Sequence, residues 1–367
     1  MDSVDERWWR IVLAGPVGTL SSNATVGTGE HYSTLPRPGD PRVVVDLDCP
    51  RAMSDAIDRM VSSRTSNAVA RRAASSVSSL AGRRKPDWIV SSDGELGSLR
   101  QYLSEVLGRE VRISVSVGPP RPNRKPVVRC YSQDELIAVA KLGPDDHTRQ
   151  MVQNEAEWLT HLMGNPLDGV VTPGLLYSGT YGSSALLVME PLDLVDDLGV
   201  TVAQMPMATL VEFVSSHVDE TARVRDTPWF AELPTRLGED QYATLRPTFD
   251  EIVSDPFFDD LEVSAWHGDW SPWNTGRVTN GQLAVWDWER TMVGVPTGFD
   301  LLHLHYQYGS GLDGATLGLA SFGIPTAHHR PLQGLYLLEL CARHAEADAL
   351  ETPRHAAVSE RLTMVLS

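Results

Sequence analysis

The chain has 367 residues, enough for two or three structural units, and its 42% hydrophobic and 22% charged residues are typical of a globular protein. This composition excludes disordered, collagen-like and fibrous proteins. The formal net charge of −17 at pH 7 opposes binding to a nucleic-acid backbone or to an anionic membrane surface. We therefore expect neither nucleic acid nor a membrane as a partner.

The cysteines and the N-terminus indicate the compartment. Cys49, Cys130 and Cys341 are too far apart for a short metal-ligand or redox motif and build no disulfide framework. The segment 1–6 is acidic where a secretory signal needs positive charge, and no apolar run approaches the roughly 18 residues of a membrane span. We expect a cytoplasmic protein, and the sequence leaves its oligomeric state open.

Residues 1–95 are rich in Ser, Thr, Gly and Pro and predict an N-terminal extension of open role. Within it we predict short strands over 8–14 and 42–47 and a helix over 51–82, which ends in the basic cluster 83–85. No GxxxxGK[ST] motif occurs in the chain, so a P-loop nucleotide site is not predicted.

From residue 96 the pattern changes to alternating strands with two helices. The predicted elements are a helix over 98–107, strands over 111–117, 126–131 and 136–142, a helix over 148–163, and strands over 174–178 and 184–190. After Leu192 the chain is mostly helical, except for one compact polar stretch at 266–300.

The polar stretch concentrates side chains suited to phosphoryl transfer. That reaction needs a carboxylate to accept the hydroxyl proton, and oxygen ligands for Mg²⁺ on the phosphates. Asp269 and Asn274 are separated by the same interval as the Asp and Asn of the kinase catalytic loop. Asp287 follows the apolar strand 283–286. We predict that these three oxygen donors converge on one metal.

The motif HGDxxxxN at 267–274, followed by a hydrophobic-Asp-x-Glu pattern at 286–289, resembles the aminoglycoside phosphotransferase and choline kinase family. The fold of that family is similar to that of protein kinases, and the resemblance covers roughly residues 97–367. It implies a two-lobed α+β protein-kinase-like fold with a nucleotide-binding N-lobe over 96–190. A helical C-lobe over 191–367 would hold the catalytic loop and the acceptor.

The resemblance also implies roles for individual residues of the C-lobe. Asp269 would be the catalytic base, and Asn274 and Asp287 would be the Mg²⁺ ligands. His267 would be a packing residue of the loop, and Asp300 would be the buried acid that braces the loop.

A kinase also needs a cation on the nucleotide phosphates, normally a strand lysine steadied by a helix glutamate. Lys141 lies on the predicted third strand of the N-lobe, and no lysine follows it in the chain. Glu155 lies in the next helix, within a segment similar to the family's E-A-x-x-L signature, and Glu157 is the alternative partner. We predict a nucleotide site in which Lys141 binds the phosphates of ATP and Glu155 steadies Lys141.

The segment 187–192 resembles the hinge of a kinase, in which backbone groups near Glu190 and Leu192 would bind adenine. No GxGxxG loop stands between the first two strands of the predicted N-lobe, where Gly118-Pro119-Pro120 occurs instead. Small-molecule kinases of this family often lack that signature. The sequence leaves the choice between ATP and GTP open.

These features predict an ATP- and Mg²⁺-dependent phosphotransferase acting on a hydroxyl of a small molecule. A protein kinase is disfavoured because only 12 residues lie between Asp287 and Asp300, too few for an activation segment. The alternative is a catalytically silent kinase-fold binding or scaffold module that acts through its N-terminal extension. The lack of a GxGxxG motif in the predicted nucleotide loop favours this alternative, and the complete set of catalytic carboxylates opposes it.

The charge distribution bears on the acceptor. Residues 195–367 contain 25 Asp or Glu and 10 Arg, a net charge of −15 out of the total of −17. An acidic cleft would favour a cationic acceptor such as an amino sugar or aminoglycoside. A solvated acidic surface that serves solubility is an equally weighted alternative.

The remaining aromatic and histidine side chains of this region are interpreted as packing residues. His303 and His305 lie two residues apart in a predicted helix and are interpreted as packing or rim residues. The tryptophans interpreted as core and loop packing are Trp266, Trp270, Trp273, Trp286 and Trp288.

Overall fold

The computed structural model divides into two compact units, which we describe separately. The residues that it describes are 6–21, 29–36, 41–62, 86–92, 94–118, 124–195, 200–219, 221–308, 312, 315 and 318–366. The first unit comprises Met1–Gly164 and Thr172–Leu198, and the second comprises Asn165–Val171 and Gly199–Ser367.

A nine-stranded antiparallel sheet forms the centre of the first unit. Its strands are β1 Thr19–Ser21, β2 Glu30–Leu35, β3 Val43–Asp46, β4 Trp88–Ser91, β5 Arg112–Val117, β6 Pro126–Ser132, β7 Glu135–Gly143, β9 Leu175–Tyr181 and β10 Ser184–Met189. Their order across the sheet is β1-β4-β2-β3-β5-β6-β7-β10-β9. The strands predicted over 111–142 and 174–190 are all present, with ends shifted by a few residues.

The described strands of the predicted extension belong to this same sheet. Strand β3 pairs with β5, with Val43 opposite Ser116 and Val45 opposite Ser114. Residues from both sides of the predicted boundary at 95 therefore share backbone hydrogen bonds. The assignment of separate roles to 1–95, 96–190 and 191–367 stays a prediction.

Four helices accompany the sheet in the described part of the first unit. They are α1 Glu6–Ala14, α2 Pro50–Ser62, α3 Leu99–Val106 and α4 Asp146–Gly164. The predicted strand over 8–14 was wrong, because this segment is helix α1. Its apolar run presents Trp9, Val12 and Leu13 to the core at helical spacing, while Ile11 remains 38% exposed.

The sheet carries a packed apolar layer on each face. Because side chains alternate along a strand, Val44 packs with Leu99 and Leu103 of α3, whereas Val43 and Val45 face the opposite side. That opposite layer is completed by α2 and contains Cys49, Ala52, Met53, Ala56 and Tyr131. Helix α3 begins with a capping box between Ser98 and Gln101, which satisfies backbone N–H groups of its first turn.

The second unit is mainly helical, as the sequence predicted for the chain after Leu192. Its strands are β8 Val170–Val171, β11 Val263–Trp266, β12 Thr275–Arg277, β13 Leu283–Val285 and β14 Met292–Pro296. Its helices are α5 Met207–Ser215, α6 Pro228–Leu237, α7 Glu239–Val253, α8 Phe299–Gln307, α9 His329–Glu346 and α10 Pro353–Leu366. Helix α9 is buried from His329 to Ala342 apart from two half-buried positions, and it forms the centre of this core.

Within the described part of the chain, none of the helices is both long enough and apolar enough to cross a bilayer.

Candidate active site

Lys141 and Glu155 form a buried ion pair in the first unit. Strand β7 holds Lys141 between β6 and β10, opposite Val127 and Leu187. The Lys141 Nζ atom donates to Glu155 Oε1 at 2.7 Å and to Glu155 Oε2 at 2.6 Å. Glu155 is fully buried, whereas Glu157, the alternative partner, lies on the exposed side of α4.

The predicted hinge lies at the end of β10, also in the first unit. The Glu190 N–H donates to the Gly174 carbonyl at 2.8 Å, and the Leu194 N–H donates to the Leu192 carbonyl at 3.0 Å. The Glu190 side chain is exposed. The adenine contact predicted for this segment uses backbone groups and not the Glu190 side chain. Residues 119–123, at the position that a glycine-rich loop would take, lie outside the described residues, as does the cluster 83–85.

In the second unit, the loop that carries HGDxxxxN is held by Asp300 at the start of α8. Asp300 Oδ2 accepts the His267 N–H at 2.6 Å, and Asp300 Oδ1 accepts the Gly268 N–H at 3.0 Å. Burial raises the pKa of Asp300 to about 7, against these two N–H groups, which favour the ionised form. The side chain predicted to brace the loop thus contacts its backbone.

His267 connects this loop to the end of β13. Its Nδ1 accepts the Asp269 N–H at 3.2 Å, which places the ring proton on Nε2, and Nε2 donates to the Trp286 carbonyl at 3.2 Å. Burial lowers the pKa of His267 to about 4, so the ring is neutral at neutral pH. The ring is fully buried, as expected for a packing residue of the loop.

The Asp269 carboxylate accepts three side-chain hydrogen bonds. Its Oδ2 accepts from Asn274 Nδ2 at 3.0 Å and from Trp273 Nε1 at 3.3 Å. Its Oδ1 accepts from His303 Nε2 at 3.2 Å. Burial acts to raise the pKa of Asp269, but the hydrogen bonds and the neighbouring histidines outweigh it and hold the pKa well below its usual range. With 24% of its side chain exposed, Asp269 is an ionised carboxylate that a hydroxyl group can reach.

The β12–β13 hairpin brings Asn274 and Asp287 to the same end. Thr275 lies opposite Val285, and the Trp286 N–H donates to the Asn274 carbonyl at 3.1 Å. Asn274 Nδ2 donates to the backbone and to the side chain of Asp269. The other polar atom of this amide, Oδ1, is the one that can act as a metal ligand. An amide oxygen and a carboxylate are the hard donors that Mg²⁺ prefers, so the residues present fit this ion.

Asp287 adopts a left-handed backbone conformation, with φ 71° and ψ 49°. This conformation is uncommon for residues other than glycine, although Asp tolerates it better than most. Asp287 follows β13 and is the N-cap residue of the short 3₁₀ helix Trp288–Arg290.

A network of buried charges supports the loop from α9. Arg343 Nη1 donates to the Gly268 carbonyl at 2.7 Å, and Arg343 Nε donates to Glu339 Oε1 at 2.9 Å. Glu339 is fully buried and also accepts from Arg236 at 2.7 and 3.0 Å and from Trp229 Nε1 at 2.8 Å. No prediction from the sequence included this network.

Two side chains differ from their interpretation as packing residues. His303 contacts the Asp269 carboxylate directly, and Trp273 is 48% exposed beside it. The signal for His303 was its position three residues after Asp300, which places both on one face of α8. The ring of Trp273 is paired with that of Tyr308, with centroids 5.1 Å apart.

Gly268 allows a close approach that a side chain would block. At φ +84°, a Cβ atom here would lie 2.5 Å from the Arg290 carbonyl oxygen. Gly281 has a similar φ of +88°, and no atom of the described residues lies within 4 Å of the position that its Cβ would take. Gly281 is therefore a matched control for Gly268.

We expect Gly281→Ala to lower the free energy of unfolding by about 1–2 kcal/mol through backbone strain alone. Gly268→Ala is expected to cost about 1–3 kcal/mol more, because the loop must move away from Arg290. Urea unfolding of both variants measures the difference. Equal losses would show that the contact is relieved without cost.

No protein-family model matches the chain, and no curated protein matches it by sequence. Solved structures do match it. Aminoglycoside phosphotransferase APH(4)-Ia, in a ternary complex with ADP and hygromycin B, matches with a TM-score of 0.52 and 10% identity over 73% of this chain and 97% of that one. A putative fructosamine-3-kinase from Haemophilus somnus 129PT matches with a TM-score of 0.52 and 13% identity, over 73% of this chain and 97% of that one.

Choline kinase LicA from Streptococcus pneumoniae matches with a TM-score of 0.51 and 15% identity, again over 73% of this chain and 97% of that one. At such identities the likeness concerns the fold. It confirms, at the level of the fold, the resemblance indicated by the HGDxxxxN motif. The chain has the two-lobed, protein-kinase-like α+β fold found in aminoglycoside phosphotransferase and choline kinase structures.

Proposed function

We propose that this protein is an ATP-dependent phosphotransferase that transfers the γ-phosphate to a hydroxyl group of a small molecule. The observation that carries the proposal is the ionised Asp269 carboxylate, bound to Asn274 in a loop that Asp300 holds by its backbone. This is the arrangement expected of a base placed beside a metal ligand.

In the proposed reaction the acceptor oxygen forms a bond to the γ-phosphorus while the bond to the bridging oxygen of ADP breaks. Asp269 accepts the proton of the acceptor hydroxyl. Asn274 and Asp287 would hold Mg²⁺, which when bound neutralises charge on the phosphates. In the predicted nucleotide site, Lys141 contacts the phosphates and is steadied by Glu155, and backbone groups near Glu190 and Leu192 contact adenine.

The fold relatives support a small-molecule acceptor. Their names describe an aminoglycoside phosphotransferase, a fructosamine-3-kinase and a choline kinase. We place the activity in the cytoplasm, where ATP is available and where the three buried free cysteines of this chain would stay reduced.

We further propose that the acceptor is an alcohol bearing an amine. The second unit holds most of the negative charge of the chain, and Trp273, which is 48% exposed, donates its Nε1–H to the Asp269 carboxylate. Indole is the aromatic ring that attracts cations most strongly. An acceptor whose hydroxyl reaches Asp269 would therefore meet both an aromatic face and negative charge.

The test is ADP release from Mg·ATP with a panel of aminoglycosides, amino sugars, neutral sugars and choline-like alcohols. We expect ADP release that depends on the acceptor, and stronger stimulation by amine-bearing alcohols than by their neutral analogues. The apparent affinity for a cationic acceptor should weaken as NaCl rises from about 0.05 to 0.5 M. A neutral best acceptor with no response to salt would contradict the charge argument only. Absence of any ADP release, with Mg·ATP bound, would favour the silent binding module.

The ion pair of the first unit supports a separate prediction. Lys141→Ala should raise the KM for ATP and lower turnover, because this ammonium would pair with the phosphates. Glu155→Gln should produce a weaker form of the same defect, since it leaves Lys141 with a neutral partner. Glu157→Gln, two residues along the same helix but exposed, is the matched control and should leave the ATP kinetics unchanged. Steady-state kinetics with varied ATP measure all three variants, and a defect in the Glu157 variant alone would contradict the assignment.

A further inference from the structure

His303 occupies a buried position between Asp269 and helix α9. Only 5% of it is exposed. Its Nε2 lies 3.2 Å from Asp269 Oδ1, and its Nδ1 lies 3.0 Å from the hydroxyl oxygen of Tyr336, which is itself fully buried. Both ring nitrogens of His303 therefore have hydrogen-bond partners of known chemistry.

These partners determine the tautomer of the ring. An ionised carboxylate only accepts hydrogen bonds, so His303 Nε2 carries the proton that points at Asp269. The other nitrogen, Nδ1, then has a free lone pair and accepts from the Tyr336 hydroxyl. Burial lowers the pKa of His303, so the ring is neutral and carries this single proton.

The three donors to Asp269 differ in where they come from. Trp273 and Asn274 lie in the same short loop as Asp269, so they move with it. His303 instead lies on α8, one turn after Asp300. Helix α8 thus holds the loop at two points: Asp300 binds the backbone of the loop, and His303 binds the Asp269 carboxylate.

We propose that His303 is a positioning residue for the phosphotransferase reaction, which holds the Asp269 carboxylate in one rotamer by a hydrogen bond to Oδ1. The Tyr336 hydroxyl donates to Nδ1 and holds the ring from the opposite side. The carboxylate is then presented to the acceptor hydroxyl in one orientation before the acceptor binds, which lowers the cost of reaching a reactive geometry. This inference rests on the proposed function, because it assigns His303 a role in the reaction of Asp269.

The kinetic test uses Mg·ATP with water as the acceptor, measured as ADP release by the full chain. Replacing His303 by Leu keeps much of the volume and removes the donor, and we expect turnover to fall about 10- to 100-fold while the KM for ATP stays nearly unchanged. His303→Gln should restore most of the turnover, because its amide N–H can donate from a similar reach. Equal turnover in wild type and His303→Leu would overturn the proposal, as would equal losses in the Leu and Gln variants.

A spectroscopic test is independent of turnover. In protein labelled with ¹⁵N-histidine, the His303 ring should show the Nε2–H tautomer at neutral pH. Tyr336→Phe, which removes the partner of Nδ1, should leave the Nε2–H tautomer in place, because the Asp269 carboxylate still only accepts. An Nδ1–H tautomer in the wild-type protein would overturn the proposal. If the wild type released no ADP with water or with any alcohol of the acceptor panel, the proposed function would fail, and the ring tautomer alone would still decide whether His303 donates to Asp269.

Discussion

Replacing Asp269 by Asn is expected to lower ADP release by at least about 10²-fold, the usual contribution of a general base. The carboxylate is ionised because burial is outweighed by hydrogen bonds, so at neutral pH it can accept the proton of an acceptor hydroxyl. An amide cannot. The affinity for Mg·ATP, measured by calorimetry, should stay nearly unchanged, because the proposed contacts of Asp269 are to the acceptor.

Two controls separate the loss of a base from damage to the loop. Asp260→Asn removes one carboxylate from an exposed site of the same unit and should leave ADP release unchanged. In Asp269→Asn the new amide group faces donors from Asn274, Trp273 or His303, so the melting temperature should be compared with that of the wild type. Turnover like that of the wild type in Asp269→Asn would refute the assignment of the base.

Replacing Glu339 by Gln is expected to lower the free energy of unfolding by about 3–5 kcal/mol, because it removes the counter-ion of Arg343, whose side chain is only 10% exposed, and one of the two carboxylates that bind Arg236. Glu339 is fully buried and binds both Arg236 and Arg343. Since Arg343 donates to the Gly268 carbonyl, the defect should also loosen the loop that carries the base. Urea unfolding followed by tryptophan fluorescence measures the stability.

Glu346 provides the matched control for this change. It also pairs with Arg236, but 28% of its side chain is exposed, so Glu346→Gln should cost about 1 kcal/mol or less. A similar loss in the two variants would contradict the argument from burial.

Wild type and Glu339→Gln should also differ in their response to pH. Burial acts to raise the pKa of Glu339, but Arg236 and Arg343 lower it to about 2, from an ordinary value of 4.5. The stabilisation is therefore complete above about pH 4.5 and is lost as the pH falls towards 2. The difference in stability between wild type and Glu339→Gln should shrink over that interval.

The sequence predicted those parts of the site in which residue spacing determines geometry. The interval between Asp269 and Asn274 spans one short loop, and the structure joins the two by a 3.0 Å hydrogen bond. The pairing of Lys141 with Glu155 depends on a strand and the helix that directly follows it. These contacts are local in the chain, and a motif can encode them.

The contacts that were missed join distant segments of the chain. Glu339 meets Arg236 across 103 residues, and His303 meets Asp269 across 34. The spacing of Asp300 and His303 indicates a shared helix face, but it does not identify Asp269 as the partner of His303, because that contact is set by tertiary structure. The strand predicted over 8–14 was wrong for a different reason. The run of apolar and β-branched residues in α1 also fits a strand pattern, and the helical spacing of its buried residues becomes clear only when the core is known.

The pairing of β3 with β5 has a consequence for where this protein can be cut. A chain shortened to begin near residue 96 would lose β3, and the backbone N–H and C=O groups along one side of β5 would face water without partners. Unpaired strand edges of this kind recruit other chains and promote aggregation. The N-terminal strands therefore cover an edge of the sheet that carries Lys141, and we expect a chain shortened to begin near residue 96 to aggregate more readily than the full chain.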